Sequence, residues 1–337
     1  MNVFIVESPL QLLNAMEAKQ YFQLPTETCT LLLNNGENPN SMKQMLNLTD
    51  NSEWYNVEKV GFGSGKISWL TRIFGMKRQI RSYEKIDKIF IGDFRSDAIQ
   101  CFINSFLQSD LFVLDDGTAT LKIYNNLTNP NRVKKITGLK AFFKNLMRKL
   151  LGIGNISKKM SKREMTFFTS YNLEPMKNIR IIKNNYTFLK KQQENKSKVD
   201  NLFFLGSPLT EKRIIKTRQE YLNLLKKVLQ HYDSTKEFFY VPHRTENDDF
   251  LYEIENLGFR ILKLDIPIEF YLVKSYEIPN HVSSFYSTAL GNLKSLFDDT
   301  VEIDSFMIDE SILNTNNREE IKKIYDYYSK IINVYKV

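Results

Sequence analysis

Short apolar runs that end in a polar loop and lead into a helix-period segment recur along this chain, and few folds tolerate that rhythm. Leu111-Phe112-Val113-Leu114 runs into Asp115-Asp116-Gly117, and Phe238-Phe239-Tyr240-Val241 runs into Pro242-His243-Arg244. Runs so uniformly apolar read as parallel strands buried on both faces. Parallel strands need long crossovers, so strands alternating with helices imply an α/β doubly wound sheet. Ligands bind such sheets outside the carboxyl ends of the strands, which is where both polar loops fall.

Further strands are expected at Val3 to Val6, Thr30 to Leu33, Lys88 to Ile91 and Thr166 to Thr169. Ser8-Pro9 supplies a cap and a proline at the first helical position, and Leu10 to Ala18 continues the helix. The polar, lysine-rich stretch from Lys190 to Asp200 shows no apolar period and reads as a linker. It divides the chain into domains 1–190 and 191–337. In the second, a strand at Asn201 to Leu205 precedes a helix from Thr210 to Leu229, with Thr210 as its expected cap. Strands follow at Phe238 to Val241, Phe259 to Leu262 and Ser275 to Ile278, and a final helix spans Arg318 to Val334. Two Rossmann-like domains facing a central cleft, the arrangement called GT-B, is the economical reading.

With 337 residues, 42% of them hydrophobic, the chain can build two cores. It contains no apolar run of 18 residues, and its first residues lack a basic n-region, so a first strand is expected there and not a signal peptide. Cys29 and Cys101 form neither a disulfide framework nor a metal spacing, which suits a reduced, cytoplasmic setting. The net charge of +8 is local. Between Arg132 and Arg163 stand eleven Lys or Arg and no acid, which leaves −3 for the remainder. Leu139, Phe142, Phe143, Leu146, Met147, Leu150 and Leu151 line one helical face there, with Lys140, Lys144, Arg148 and Lys149 around it. Such a helix can lie on an anionic membrane surface or pack on its own domain. No recognised nucleic-acid module accompanies it, so nucleic acid is not expected as a partner.

The adjacent carboxylates Asp115 and Asp116 end a strand and point to opposite faces, so one of them can serve as a general base while its neighbour raises its pKa. A solvated Asp-Gly turn is the ordinary alternative. His243 is one of three histidines, and an imidazole titrating near neutrality can protonate or hydrogen-bond a departing phosphate oxygen. Arg244 beside it can add positive charge or be a surface arginine. Glu269, in Ile266-Pro267-Ile268-Glu269, stands where an acidic residue takes ribose hydroxyls, and equally where a glutamate opens a helix. Ser283 and Ser284 are read as opening a helix and offering hydroxyls and N–H groups to a phosphate, with Ser207 in the weaker Gly206-Ser207 turn. Gly61-Phe62-Gly63-Ser64-Gly65-Lys66 only imitates a P-loop, because Val60 and Ile67 stand where that motif needs Gly and Ser or Thr.

In order and spacing, Glu7-Ser8-Pro9-Leu10-Gln11, Asp115-Asp116-Gly117, Leu205-Gly206-Ser207-Pro208, Tyr240-Val241-Pro242-His243, Ile266-Pro267-Ile268-Glu269 and Ser283-Ser284 resemble the bacterial sialyltransferases of glycosyltransferase family 52. That family resembles two other bacterial sialyltransferase groups, the capsular polysialyltransferases among them. The chain departs from it at Arg244, where the family has proline after the histidine. The resemblance implies a GT-B enzyme with CMP-sialic acid as donor, no cofactor and no metal. It implies a glycan acceptor of lipooligosaccharide or capsule, with a galactose terminus. One of Asp115 or Asp116 would be the base and His243 the partner of the CMP phosphate. Glu269 would hold the ribose, Ser283 and Ser284 the phosphate, with Ser207 and Arg244 also on the donor side and Ser8 and Gln11 on the acceptor side. A peripheral position at the inner membrane face, through 132–163, goes with it. A homodimer is left open.

Overall fold

The computed structural model describes every residue except 35–38, 62–68, 118, 129–152, 154–162, 193–195, 233–235 and 244. The basic segment, apart from Ile153 and Arg163, therefore lies outside the described residues, as do Arg244 and most of the P-loop imitation. The chain forms two compact units, Met1–Phe188 and Leu189–Val337.

The first unit is a seven-stranded parallel sheet in the order β3-β2-β1-β4-β5-β6-β7. Its strands are β1 Asn2–Val6, β2 Cys29–Asn34, β3 Asn56–Val60, β4 Lys88–Ile91, β5 Asp110–Leu114, β6 Met165–Thr169 and β7 Ile179–Lys183. Successive side chains leave a strand on opposite faces. Phe4, Phe90 and Phe112 accordingly stack across β1, β4 and β5 on one face, with ring centroids 4.3 and 4.5 Å apart. Val3, Ile5, Ile89, Ile91, Leu111 and Val113 build the core on the other. Strand β1 pairs with both β2 and β4, so the winding reverses at β1/β4 and opens a crevice at their carboxyl ends. The expected Ser8 cap and early proline do start the helix Pro9–Tyr21.

The second unit is a six-stranded parallel sheet in the order β10-β9-β8-β11-β12-β13. Its strands are β8 Ser197–Leu205, β9 Glu237–Val241, β10 Arg260–Ile261, β11 Glu277–Ser284, β12 Glu302–Met307 and β13 Asn333–Lys336. Its winding reverses between β8 and β11.

Several local expectations give way to tertiary pairing. The expected linker is partly structured: Thr187–Lys191 is helical and β8 begins at Ser197, because its polar start pairs with Glu277 to Pro279 at the beginning of β11. The helix expected from Thr210 begins instead at Arg218. There Thr217 and Glu220 form a reciprocal capping box, which satisfies two otherwise unpaired N–H groups. The final helix stops at Tyr328, and Val334 belongs to β13, drawn out by pairing with β12. Ser283 and Ser284 do not open a helix. They are the last two residues of β11, and the following helix is Ala289–Phe297. Strands β3 and β7 escaped the sequence reading, being edge strands with partly exposed residues, and so did the interior β12, whose run is broken by Asp304 and Ser305.

Candidate active site

At the carboxyl edge of the first sheet, Asp115 and Asp116 follow β5 and separate as alternation requires. Asp115 is 1% exposed, and its Oδ2 accepts hydrogen bonds from the Ser170 N–H at 2.7 Å and the Ser170 hydroxyl at 3.1 Å. Burial pushes its carboxyl up to about 6, with the Thr169, Ser170 and Thr120 groups pulling the other way. Asp116 stays partly exposed. Its Oδ2 meets the Arg95 guanidinium at 3.1 Å, and the Gln11 and Ser8 side chains lie close enough to lower its pKa. Its pKa is also raised, first by burial and then by the charge of Asp93. Burial, and not the adjacent aspartate, is thus the main cause for both carboxyls.

The strand ends around Asp116 bring in residues that the sequence reading did not assign. Glu7 follows β1, where burial together with Asp93 and Asp116 raises it to about 7, while Asn34 at the end of β2 donates to its Oε1. The Glu7 N–H donates to Gln11 Oε1 at 2.7 Å. Arg95, after β4, bridges Asp93 at 2.9 Å and Asp116. Gly92 is needed for this closeness, since a Cβ there would stand 2.1 Å from Gln11 Oε1. Position after a strand is the signal that could have found Glu7, Asp93 and Arg95. Behind the edge, Asn14 donates to the carbonyls of Leu10 at 3.0 Å and Asp115 at 3.2 Å. Its Oδ1 accepts from Asn184 at 3.1 Å and the Tyr186 hydroxyl at 2.9 Å, so one buried amide braces the loop that carries both aspartates.

In the second unit, Ser207 follows β8 and Ser284 ends β11, on either side of the switch point. Their hydroxyls are 3.4 Å apart, and Ser284 also donates to the Leu205 carbonyl at 2.7 Å. Ser283, one residue earlier, leaves the strand on the opposite face, beside the Tyr232 hydroxyl. The expected serine pair is therefore split, and Ser207 takes the place beside Ser284. His243 lies in the loop after β9, with its Nδ1 2.8 Å from the Thr245 hydroxyl. Glu269 is the second residue of the helix Ile268–Lys274. It is buried, which raises its pKa, and its Oε1 accepts from Asn292 at 2.9 Å.

Two parallel-sheet α/β domains, each with polar side chains gathered at a switch point, define the GT-B fold. Three solved structures share the fold. An alpha/beta-galactoside alpha-2,3-sialyltransferase from Photobacterium phosphoreum matches with TM-score 0.54 and 14% identity over 99% of this chain and 97% of its own. Arabidopsis thaliana UGT89C1 complexed with UDP-L-rhamnose matches with TM-score 0.53 and 10% identity over 99% and 85%. A sialyltransferase from Photobacterium damsela matches with TM-score 0.50 and 12% identity over 99% and 81%. No curated protein matches the chain. Residues 2–303 match the alpha-2,8-polysialyltransferase family, and the chain belongs to that family. The sialyltransferase class implied by the motifs therefore stands, under a family other than the one first resembled.

Proposed function

We propose that this protein transfers sialic acid from CMP-sialic acid to a hydroxyl of a glycan acceptor, by direct displacement with inversion and without a metal ion. The observation that carries the reading is the division of labour at Asp115-Asp116. Asp115 is buried with its Oδ2 held by the Ser170 N–H and hydroxyl inside the unit, whereas Asp116 reaches the edge beside Ser8, Gln11 and Arg95. Asp116 is then the base that takes the acceptor's proton, and burial, which raises its pKa, makes it the more ready to accept one. Ser8 and Gln11 orient that carboxylate and the incoming hydroxyl.

On the donor side, His243 hydrogen-bonds or protonates the departing CMP phosphate, so that negative charge is met as the glycosidic bond breaks. Ser207 offers its hydroxyl to the phosphate at the switch point, with Ser284, whose proton goes to the Leu205 carbonyl, behind it. Ser283 faces away and supports the strand, and Arg244 adds charge beside His243. Glu269, held by Asn292, takes the ribose hydroxyls. The transition state has oxocarbenium character, as in glycoside chemistry. Acid and base each contribute on the order of 10²–10⁴-fold, and positioning supplies the rest.

The family's name points to an acceptor already ending in sialic acid, and a galactose-terminated glycan is the other class to offer. Among the described residues no helix is long and apolar enough to cross a membrane. The basic run 132–163 is proposed to hold the enzyme against an anionic membrane face where lipid-linked glycan is presented.

The test is CMP release from CMP-sialic acid in EDTA, with no acceptor, with lactose and with a sialylated lactose. Acceptor-dependent release that Asp116→Asn abolishes is expected. Stabilisation by UDP but not CMP in a thermal melt would instead indicate a UDP-sugar donor.

A further inference from the structure

The loops after β8 and β9 are joined by a line of hydrogen bonds that passes through a carboxyl not used above. The Ser207 N–H donates to the Tyr221 hydroxyl at 3.1 Å, and the Tyr221 and Tyr240 hydroxyls are 2.8 Å apart. Tyr240 donates to Glu246 Oε1 at 2.7 Å, and Glu246 Oε2 accepts the backbone N–H of His243, also at 2.7 Å. Both tyrosines are completely buried. Gly206 leaves the space for this line, because a Cβ there would stand 2.5 Å from Glu246 Oε2 and 2.7 Å from the Tyr240 oxygen. A carboxyl with one foot on the His243 peptide and the other on a buried tyrosine thus ties the histidine loop to the serine loop.

We propose that Glu246 is the positioning residue of His243, fixing its loop through its own peptide N–H and locking it to the Ser207 turn through Tyr240 and Tyr221. This rests on the reading of His243 as partner of the donor phosphate. The direction of the hydrogen bonds explains why a carboxylate stands there. A Glu246 carboxylate can only accept, so Tyr240 gives its proton to Glu246, and Tyr221, which accepts the Ser207 N–H, gives its own to Tyr240. The line needs an acceptor at its end, and so does the His243 N–H. A carboxylate accepts twice, whereas a glutamine accepts once. With Gln, the amide must donate to Tyr240. Tyr240 then turns its proton to Tyr221, and the Tyr221 proton loses its acceptor in a closed interior. Burial pushes the Glu246 carboxyl up to about 7, with Glu211 adding like charge, while Tyr240 and the His243 N–H pull it down. Holding such a group inside is unfavourable, which suits a part retained for function.

Thr245 completes the device. Its hydroxyl lies 2.8 Å and its N–H 3.4 Å from His243 Nδ1, so the ring is held from within its own loop.

The test is a double-mutant cycle on turnover of CMP-sialic acid, with CMP binding and the melting temperature recorded for each variant. Glu246→Gln is expected to lower kcat by roughly tenfold to 10²-fold, the cost of misplacing a catalytic group by about 1 Å, with CMP binding retained. In a His243→Ala background the same change is expected to add almost nothing, because Glu246 acts through the ring that is gone. An equal loss in both backgrounds, or Glu246→Gln at wild-type turnover, overturns the proposal. Should Glu246→Gln fail to fold, Gly206→Ala, which crowds the same carboxyl without removing it, is put through the same cycle and judged by the same outcomes. Wild-type turnover in His243→Ala would refute the role of His243 itself, a separate failure.

Discussion

Glu7 carries the sharpest prediction, because its carboxyl lies where a charge is poorly tolerated. Burial and the neighbouring Asp93 and Asp116 raise it from 4.5 to about 7, against the opposing help of Asn34 and Arg95. The folded chain therefore binds this proton more tightly than the unfolded chain does, so stability falls with rising pH between about 4.5 and 7. Below that window the group is neutral in both states; above it the ionised carboxylate is a standing penalty. At about 1.4 kcal/mol per tenfold in proton affinity, the rise sets an upper bound of roughly 3 kcal/mol. Partial solvent access and the coupling to Asp93 and Asp116 reduce this to about 1.5 kcal/mol. Glu7→Gln keeps an oxygen to accept from Asn34 and removes the charge. At pH 8.5 it should raise the melting temperature of the first unit by about 3–6 °C, at the 2–4 °C per kcal/mol of a domain this size. At pH 4.5, where the wild-type carboxyl is already largely protonated, the two proteins should melt together. The assay is a pair of thermal melts followed by circular dichroism at the two pH values. An equal drop at both, or no change at pH 8.5, would refute the argument. A gain in stability accompanied by slower turnover would show that the carboxyl is kept for the reaction.

Three further expectations use the same site. Asp116→Asn should lower turnover by about 10²–10⁴-fold with the melting temperature unchanged; a loss confined to Asp115→Asn would reverse their roles. Asn14→Ala removes the acceptor of the buried Asn184 amide and Tyr186 hydroxyl, so each lost partner should lower stability in a urea titration by about 1–3 kcal/mol. Gly92→Ala should push Gln11 off Asp116 and lower acceptor-dependent CMP release, because the added methyl cannot coexist with the Gln11 side chain where it stands.

Much of the fold was legible because parallel strands buried on two faces write themselves as plain apolar runs. Lys88–Ile91 falls where it was expected, β5 and β9 begin one residue earlier, and the Ser8 cap with Pro9 marks the first helix. The edge strands β3 and β7 were silent, since residues such as Glu58 and Arg180 stand among their apolar ones and blur the pattern. The boundary at Thr217 was missed for a different reason. Thr217 with Glu220 three residues on is a capping-box spacing that Thr210, followed by Arg213, lacks, and the reading took the earlier threonine.

At the site, local sequence named the loops and tertiary structure chose among their atoms. The order of motifs was enough to set Asp115-Asp116, Ser207 and His243 after strands, because a polar residue after a buried strand must emerge at the sheet's carboxyl edge; Ser283 and Ser284, expected to open a helix, end β11 instead, and Glu269 lies in the first turn of a helix. Which aspartate faces solvent depended on Ser170, 55 positions away from Asp115. That Ser284 meets Ser207 while Ser283 turns away depended on the register of β11 against β8. Glu7, Arg95 and Glu246 stand in strand-end loops, but what each one holds is set by partners distant in sequence or across a loop. Strand formation follows from periodicity along the chain, whereas burial and hydrogen-bond partners are properties of space, and they are what decide a carboxyl's proton affinity and its chemistry.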